Sequence, residues 1–285
     1  MPGDESRRPS DEPGAIPGVG GRPDDGQRYA RHLVMPEIGP AGQRALASSS
    51  VLVVGAGGLG SPCLLYLAAA GVGRLGVVDH DVVEVSNLQR QIIHGTGAIG
   101  RPKTASAAAR LRDLNPGVEV LEHAVRLGPE NVAELVAHYD VVCTAVDNLP
   151  VRFLLNDACV LGGTTLVEAA ILRFVGLATT IRGGETACYR CLFPELPTES
   201  AESSPARAGV FGPLAGMMGC LQAAEAIKVI TGAGRPLYDR LLQVDALAMT
   251  FDEIAVSRDP ACPVCGERPR LTSVSACADD LGLAT

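Results

Sequence analysis

The sequence predicts an α/β protein: a mostly parallel, doubly wound Rossmann-like sheet with helices on both faces, followed by a smaller C-terminal part. Three observations carry that prediction. Apolar, β-branched runs alternate with helix-like segments from Val51 to Ile171, the order that builds parallel sheets. The first run, Val51–Val54, flows into the glycine-rich turn of VLVVGAGGLG and then into helical composition. Beyond Phe174 the alternation gives way to short strands, one long apolar helix and two Cys-x-x-Cys pairs.

In chain order, residues 1–26 are rich in Pro, Gly, Asp and Glu without apolar periodicity, the composition of a disordered arm. Order is expected from residue 27, with Arg28–His32 opening a short helical segment that ends around Pro36. Val51–Val54 reads as a strand and Pro62–Ala70 as a helix. Between them, Gly55, Gly57, Gly58 and Gly60 let the backbone turn sharply and bring bare amide N–H groups toward a ligand, while the helix N-terminus adds partial positive charge. That is a site for a nucleotide. A second strand, Leu75–Val78, ends in Asp79, about 20 residues past the last glycine, where a carboxylate meets ribose hydroxyls.

A helix starts at Arg101–Pro102–Lys103 and runs to about Leu114. Strands follow at Val118–Val125 and Asp140–Val146, separated by a helix that Pro129 opens at its first turn. Asp147–Asn148 lies just past the second of these strands, so in a parallel sheet it faces the same crevice as Asp79. An Asp at a strand-to-helix junction can also simply cap the helix that follows. Helix Val151–Leu161 and strand Leu166–Ile171 complete the alternation. Then come an irregular Pro/Ser/Glu-rich loop at Pro194–Ala208, a helix at Pro213–Ile230, and strands at Leu241–Val244 and Met249–Val256. Met217, Met218, Leu221, Ala224 and Ile227 make that long helix apolar over much of its surface, which core packing and a subunit interface explain equally well.

Bulk properties exclude several classes. With 47% hydrophobic and 20% charged residues, the chain can bury a full core. A net charge of −8 and a pI near 5.2 argue against nucleic acid as the partner. Tryptophan is absent and aromatics are only 4%, which removes base-stacking platforms. Val51–Gly73 is uncharged and long enough to span a bilayer, but its glycines, its proline and its switch from strand to helix composition mark buried core rather than a membrane segment. The first residues, MPGDESRRPSDEPG, lack a basic start and apolar core, so a cytoplasmic location is expected.

Cys188 and Cys191, and Cys262 and Cys265, have the short spacing with which two thiolate pairs close a tetrahedron on zinc. A redox-active pair is the rival reading, but two pairs favour a structural site that fastens the C-terminal part to the middle of the chain. Cys63, Cys143, Cys159 and Cys220 lie in apolar runs and read as small buried hydrophobes, and Cys277 falls in the expected flexible tail, 268–285.

A glycine fingerprint alone would suggest an NAD-dependent oxidoreductase. Asp79, Asp81, the run Ser86-Asn87-Leu88-Gln89-Arg90-Gln91 and Lys103 instead put cationic and amide side chains where a dinucleotide would continue, which suits a triphosphate. At these residues the chain resembles the ThiF/MoeB/HesA family of adenylyltransferases, the prokaryotic relatives of ubiquitin-activating enzymes, and is most similar to MoeB-type members. The resemblance covers roughly Arg28 to Gly266 and implies one adenylation domain over 27–267. It implies ATP on the turn of Gly55, Gly57, Gly58 and Gly60, with Asp79 on the ribose and Ser86, Asn87, Leu88, Gln89 and Arg90 lining the nucleotide. Arg90 and Lys103 would meet the phosphates, and Asp147 would hold Mg²⁺ with Asn148 beside it. In MoeB-like homodimers an arginine of the early RYxR segment reaches the neighbouring subunit's ATP, and Arg31 stands at that place. The family's zinc ligands match Cys188, Cys191, Cys262 and Cys265.

The implied reaction is adenylation of the C-terminal Gly-Gly carboxylate of a small ubiquitin-like sulfur carrier of the MoaD/ThiS kind, for thiocarboxylate formation. A same-fold enzyme acting on a ribosomal peptide or small carboxylate is the alternative. Many members carry a cysteine in the loop before a Gly-Val motif; this chain has Ser203-Ser204-Pro205-Ala206-Arg207-Ala208-Gly209-Val210. A covalent step through that loop is not expected. Nor does the length after Gly266 leave room for a rhodanese domain, so a separate sulfur donor is expected.

Overall fold

The computed structural model describes residues 25–195 and 209–283. Most of the expected arm and most of the Pro194–Ala208 loop lie outside the described residues. Three short helices, α1 (Asp25–Arg28), α2 (Ala30–Leu33) and α3 (Gly39–Ser48), lead into β1 (Ser50–Val54). The alternation continues as α4 (Gly60–Ala70), β2 (Arg74–Val78), α5 (Lys103–Leu114), β3 (Glu119–His123), α6 (Val132–Ala137), β4 (Val141–Thr144), α7 (Leu149–Gly162) and β5 (Thr165–Leu172). After it come β6 (Val175–Arg182), α8 (Tyr189–Leu192), α9 (Gly212–Thr231), β7 (Arg240–Asp245), β8 (Thr250–Ala255) and α10 (Val274–Asp280).

The strands form one eight-stranded sheet in the order β3-β2-β1-β4-β5-β6-β7-β8. β1 to β5 run parallel, as the alternating pattern predicts. The strands after Phe174 extend the same sheet rather than building a separate layer. β6 turns back on β5 in antiparallel register from Thr165↔Arg182 to Leu172↔Val175, and β7 and β8 continue that sense.

β1 is central and buried on both faces, which is why it reads as an unbroken apolar run. Its side chains alternate between two cores. Leu52 and Val54 pack with Phe153, Leu154 and Ala158 of α7; Val51 and Val53 pack with Leu64 and Leu67 of α4, Leu111 of α5 and Ala223 of α9. Each fully buried Leu or Phe contributes about 1.5–3 kcal/mol.

α9 buries Leu214, Ala215, Met218, Ala223 and Ala226 within the chain, so core packing accounts for its apolar face, while Met217, Leu221 and Ile227 are half-buried. It is the one helix among the described residues long and apolar enough to cross a membrane by length and composition.

The C-terminal segment departs from expectation. Where a flexible tail was expected from residue 268, α10 packs on α7 with Cys277 fully buried. The physical reason is local. Val274, Cys277, Ala278 and Leu281 form a stripe at helical spacing, and the Ser273 hydroxyl accepts from Ala276 N at 3.2 Å to cap the helix. Cys63, Cys143 and Cys159 are buried in the two apolar cores as the sequence suggests, whereas Cys220 is half-buried.

Candidate active site

The C-terminal ends of β2, β1 and β4 meet at one rim of the sheet. The chain winds outward from β1 to β2 on one side and to β4 on the other, so a crevice opens at this switch point. Backbone bonds stitch the rim: Gly55 N donates to Val78 O at 2.7 Å, and Ala145 N to Val54 O at 2.8 Å. Gly55 has φ +103°, and a Cβ there would lie 2.5 Å from Ala145 O; at Gly60 a Cβ would lie 1.9 Å from Gly55 O. Only glycine closes this turn. At Gly57, by contrast, a Cβ would meet nothing nearer than Gln91 Nε2 at 3.7 Å. The surface above the turn is therefore open, and the unpaired N–H groups at the start of α4 give onto it.

Asp79 is locked into this turn. Its Oδ2 accepts from Ala56 N and its Oδ1 from Asp81 N, both at 2.9 Å, leaving a further lone pair on each oxygen for hydroxyls. Lys103 is buried, with Nζ 3.0 Å from Asp81 Oδ2. Burial pushes the Asp81 carboxyl up, but the hydrogen bond and charge of Lys103 outweigh it and hold the group below its ordinary value.

The Ser86–Arg90 run folds back over the glycines. Asn87 Oδ1 accepts from Glu84 N at 3.1 Å and the Ser86 hydroxyl bonds Glu84 Oε2 at 3.2 Å, closing a short 3₁₀ turn. Leu88 is half-buried. Gln89 lies against Gly212 at the start of α9, and the Arg90 stem covers Gly58. Arg90 Nη1 donates to Ser86 O at 3.1 Å, aiming the guanidinium along the loop.

Asp147 and Asn148 are exposed just past β4. Asn148 Oδ1 accepts from Val151 N at 3.0 Å and caps α7. The capping role therefore falls to Asn148, and the Asp147 carboxylate accepts no hydrogen bond among the described residues, which suits a hard cation.

Two further residues belong to this site: Gln91, which ends the polar run, and His94, which lies beyond it. Gln91 is 5% exposed beside Gly57, with its Oε1 buried and without a hydrogen-bond partner among the described residues. His94 is buried under the turn, its Nε2 2.9 Å from Ala56 O and its Nδ1 2.9 Å from Ser106 Oγ. The signal for His94 was its place just past that polar run, separated from it by Ile92 and Ile93.

Arg31 lies elsewhere. Its segment is tied to the far ends of α4 and α5. Arg28 Nη1 donates to Leu114 O at 3.0 Å, Asn115 Nδ2 to Tyr29 OH at 2.9 Å, and Gln43, which bonds His32, to Ala70 O at 2.8 Å. α4 alone carries its C-terminus about 16 Å from the glycine turn. Within one chain Arg31 is thus at the edge of the sheet opposite the crevice.

The four cysteines converge. Cys188 Sγ is 3.9 Å from Cys191 Sγ and 3.6 Å from Cys262 Sγ, and Cys191 Sγ is 3.4 Å from Cys265 Sγ; all four lie within 4.8 Å of one another. Tetrahedral zinc with bonds of about 2.3 Å sets sulfurs roughly 3.8 Å apart, so the set fits the ion. Hydrogen bonding from Cys188 draws the Cys191 thiol down to about 7, and Asp259 N supports the same sulfur at 3.4 Å. Four protein ligands leave no open position, the mark of a structural site.

A glycine turn at a sheet switch point, ringed by cations and one uncommitted carboxylate, defines a nucleotide-binding α/β protein with a cysteine-clamped appendage. The chain belongs to the ThiF family, whose sequence pattern matches residues 29–264. It is 51% identical over 247 residues to the sulfur carrier protein adenylyltransferase of Thermus thermophilus, covering 85% of this chain and 91% of that one. It is 52% identical over 240 residues to the SAMP-activating enzyme E1 of Haloferax volcanii, covering 84% and 88%. Against the adenylyltransferase and sulfurtransferase MOCS3 of Sus scrofa it is 51% identical over 248 residues, spanning 87% of this chain but 54% of that protein. Among solved structures, E. coli MccB with AMPCPP and MccA superposes with a TM-score of 0.75 at 24% identity, covering 88% of this chain and 77% of that one. That likeness is one of fold.

Proposed function

We propose that this chain is an ATP- and Mg²⁺-dependent adenylyltransferase that activates the C-terminal Gly-Gly carboxylate of a ubiquitin-like sulfur carrier as an acyl-adenylate. The observation that carries the reading is the convergence of the glycine turn, Asp79, Arg90, Lys103 and Asp147 on the crevice at the ends of β1, β2 and β4, in a chain about half identical to a sulfur carrier protein adenylyltransferase along nearly its whole length.

A protein C-terminus with a pKa of about 3.5 is ionised at neutral pH, so no general base is required. The obstacle is one anion approaching another. A carboxylate oxygen bonds to the α-phosphorus as the bond to the β-phosphate oxygen breaks, and pyrophosphate leaves with the electron pair. Amides of the turn at Gly55, Gly57, Gly58 and Gly60 receive the phosphates. Arg90 and Lys103 neutralise them, with Lys103 exchanging its hold on Asp81 for phosphate oxygen. Asp79 holds the ribose, and Ser86, Asn87, Leu88 and Gln89 line the nucleotide. Asp147, with Asn148 fixing the backbone beside it, would hold Mg²⁺, whose charge screens the triphosphate. Arg31 serves the crevice of a second copy in a homodimer, since its own is at the other edge of the sheet. Cys188, Cys191, Cys262 and Cys265 hold structural zinc.

No cysteine occurs between Pro194 and Val210, so a covalent carrier link through that loop plays no part, and a separate donor supplies sulfur. Carrier-dependent exchange of labelled pyrophosphate into ATP tests the reading. A Gly-Gly-ending carrier should drive exchange. Exchange driven instead by a short peptide would shift the reading to the same-fold alternative, and tight NADH binding without ATP binding would overturn it.

A further inference from the structure

Arg152 is a guanidinium held in the interior: it is 4% exposed on α7, five residues beyond Asp147 in an otherwise apolar stretch. Three contacts fix it. Nη2 donates to Val146 O at 2.5 Å, the carbonyl immediately before Asp147. Nη1 donates to Ala169 O at 2.8 Å on β5. The same nitrogen pairs with the Glu168 carboxylate, which is 3% exposed and has no other polar partner among the described residues. Glu168 stands opposite Thr144, the last residue of β4, in the parallel register. The Tyr189 ring lies 6.0 Å from the guanidinium, and Tyr189 N is bonded to Asn156 Oδ1 at 2.8 Å. Tyr189 directly follows Cys188 of the cysteine cluster.

A buried ion pair is a poor way to gain stability, because desolvation offsets the attraction. The geometry accounts for this one differently. β4 ends at Thr144 and α7 begins at Leu149, so the link bearing Asp147 has no sheet bonds of its own beyond Ala145 N to Val54 O. Asn148 fixes its far end by capping α7. At its near end Gln222 holds Thr144 O, and Arg152 Nη2 holds Val146 O, the carbonyl next to Asp147 itself.

We propose that Arg152 is a positioning residue for Asp147. Its fork, oriented by Glu168 and covered by Tyr189, sets the backbone from which the Asp147 carboxylate meets a divalent cation, and through Tyr189 it joins that link to the cysteine cluster. The inference rests on the assignment of Asp147 to the cation given above. Supporting residues behind a metal ligand typically change affinity by about 10–100-fold.

Mn²⁺ serves as the probe, its free concentration followed by electron paramagnetic resonance in the presence of the full chain and a non-hydrolysable ATP analogue. Asp147→Asn should weaken Mn²⁺ binding, and Arg152→Lys should weaken it about 10–100-fold, because one ammonium cannot span two carbonyls and a carboxylate. The double variant Arg152→Met with Glu168→Met removes both charges and should keep the wild-type melting temperature, yet it should lose the same Mn²⁺ affinity. A purely packing role would lower the melting temperature and leave the Mn²⁺ affinity alone. Wild-type affinity in either folded Arg152 variant, alongside a weakened Asp147→Asn, overturns the inference. Wild-type affinity in Asp147→Asn overturns the cation assignment itself.

Discussion

Arg190, between the two cysteines of the first pair, sets its guanidinium on the fully buried carboxylate of Asp157, with Nε 3.0 Å from both oxygens and Nη2 2.8 Å from Oδ2. Asp157 belongs to α7, the helix that starts beside Asp147, and the remaining Nη1 reaches Asp280 of α10 at 2.8 Å. One cation thus joins the cysteine cluster, the helix under the crevice and the C-terminal helix. Neutralising Asp157 removes the more deeply buried of that cation's two carboxylates: Asp157→Asn is expected to cost about 3–5 kcal/mol in urea unfolding, while Asp157→Leu with Arg190→Met costs far less.

The cysteine cluster predicts a stoichiometric metal. Elemental analysis of the purified chain should find zinc, and Cys265→Ser or a strong chelator should remove it. Losing even about 3 kcal/mol of metal-linked stability would lower the melting temperature by roughly 6–12 °C. ATP binding measured well below the new midpoint should persist, because the closed cluster offers no position to substrate. Loss of nucleotide binding without loss of stability would contradict a structural role.

Legibility in the sequence followed the range of the interactions. The Val51–Val54 strand, its glycine turn and Asp79 are local patterns, and the crevice they frame stands where they predict. The convergence of four cysteines was legible because each pair carries its own spacing. Arg152 was not legible, since its meaning lies in Glu168 and Val146 O, which adjoin it only once β4 and β5 pair. α10 was missed for a related reason: its apolar stripe is four residues, too short to stand alone, and its anchor is Arg190, far back in the chain. Asn148 and Asp147 are equally able to cap a helix, and only the fold assigns the cap to Asn148.

Two glycines of the turn should differ in what alanine does to stability, although both give onto the nucleotide site. At Gly60 a Cβ would fall 1.9 Å from Gly55 O, so Gly60→Ala should both destabilise the chain, by about 1–3 kcal/mol for a forced backbone shift, and abolish ATP binding. At Gly57 the added carbon meets only Gln91 Nε2 at 3.7 Å. Gly57→Ala should keep the wild-type melting temperature while weakening ATP, because the methyl occupies the approach to the amides. Calorimetric titration with ATP beside thermal unfolding separates the two.

His94 gives the fold a pH dependence of defined sign. Desolvation, with a smaller contribution from Lys103, lowers its pKa, although the bond to Ala56 O opposes the change. The unfolded chain therefore takes up a proton near pH 6.5 that the folded chain refuses. Stability is retained above that pH and lost as pH falls below it, down to the folded-state value. His123, lowered mainly by burial, acts in the same sense. Melting curves between pH 8 and pH 5 should fall less steeply for His94→Gln than for the wild type, and an unchanged slope would remove His94 as the source.

The position of Arg31 permits a test that needs no structure of the assembly. If the crevice of one copy takes Asp147 from its own chain and Arg31 from the other, Arg31→Ala and Asp147→Ala should each abolish carrier-dependent pyrophosphate exchange. Mixed and allowed to exchange subunits, they form heterodimers in which one crevice is ruined twice and the other is intact. Random pairing makes half of the dimers mixed, so about a quarter of wild-type activity should return. Recovery requires that the residue act across the interface. Two variants that stay inactive after verified subunit exchange would place Arg31 outside the reaction, and a monomer by light scattering at working concentration would remove the interface itself.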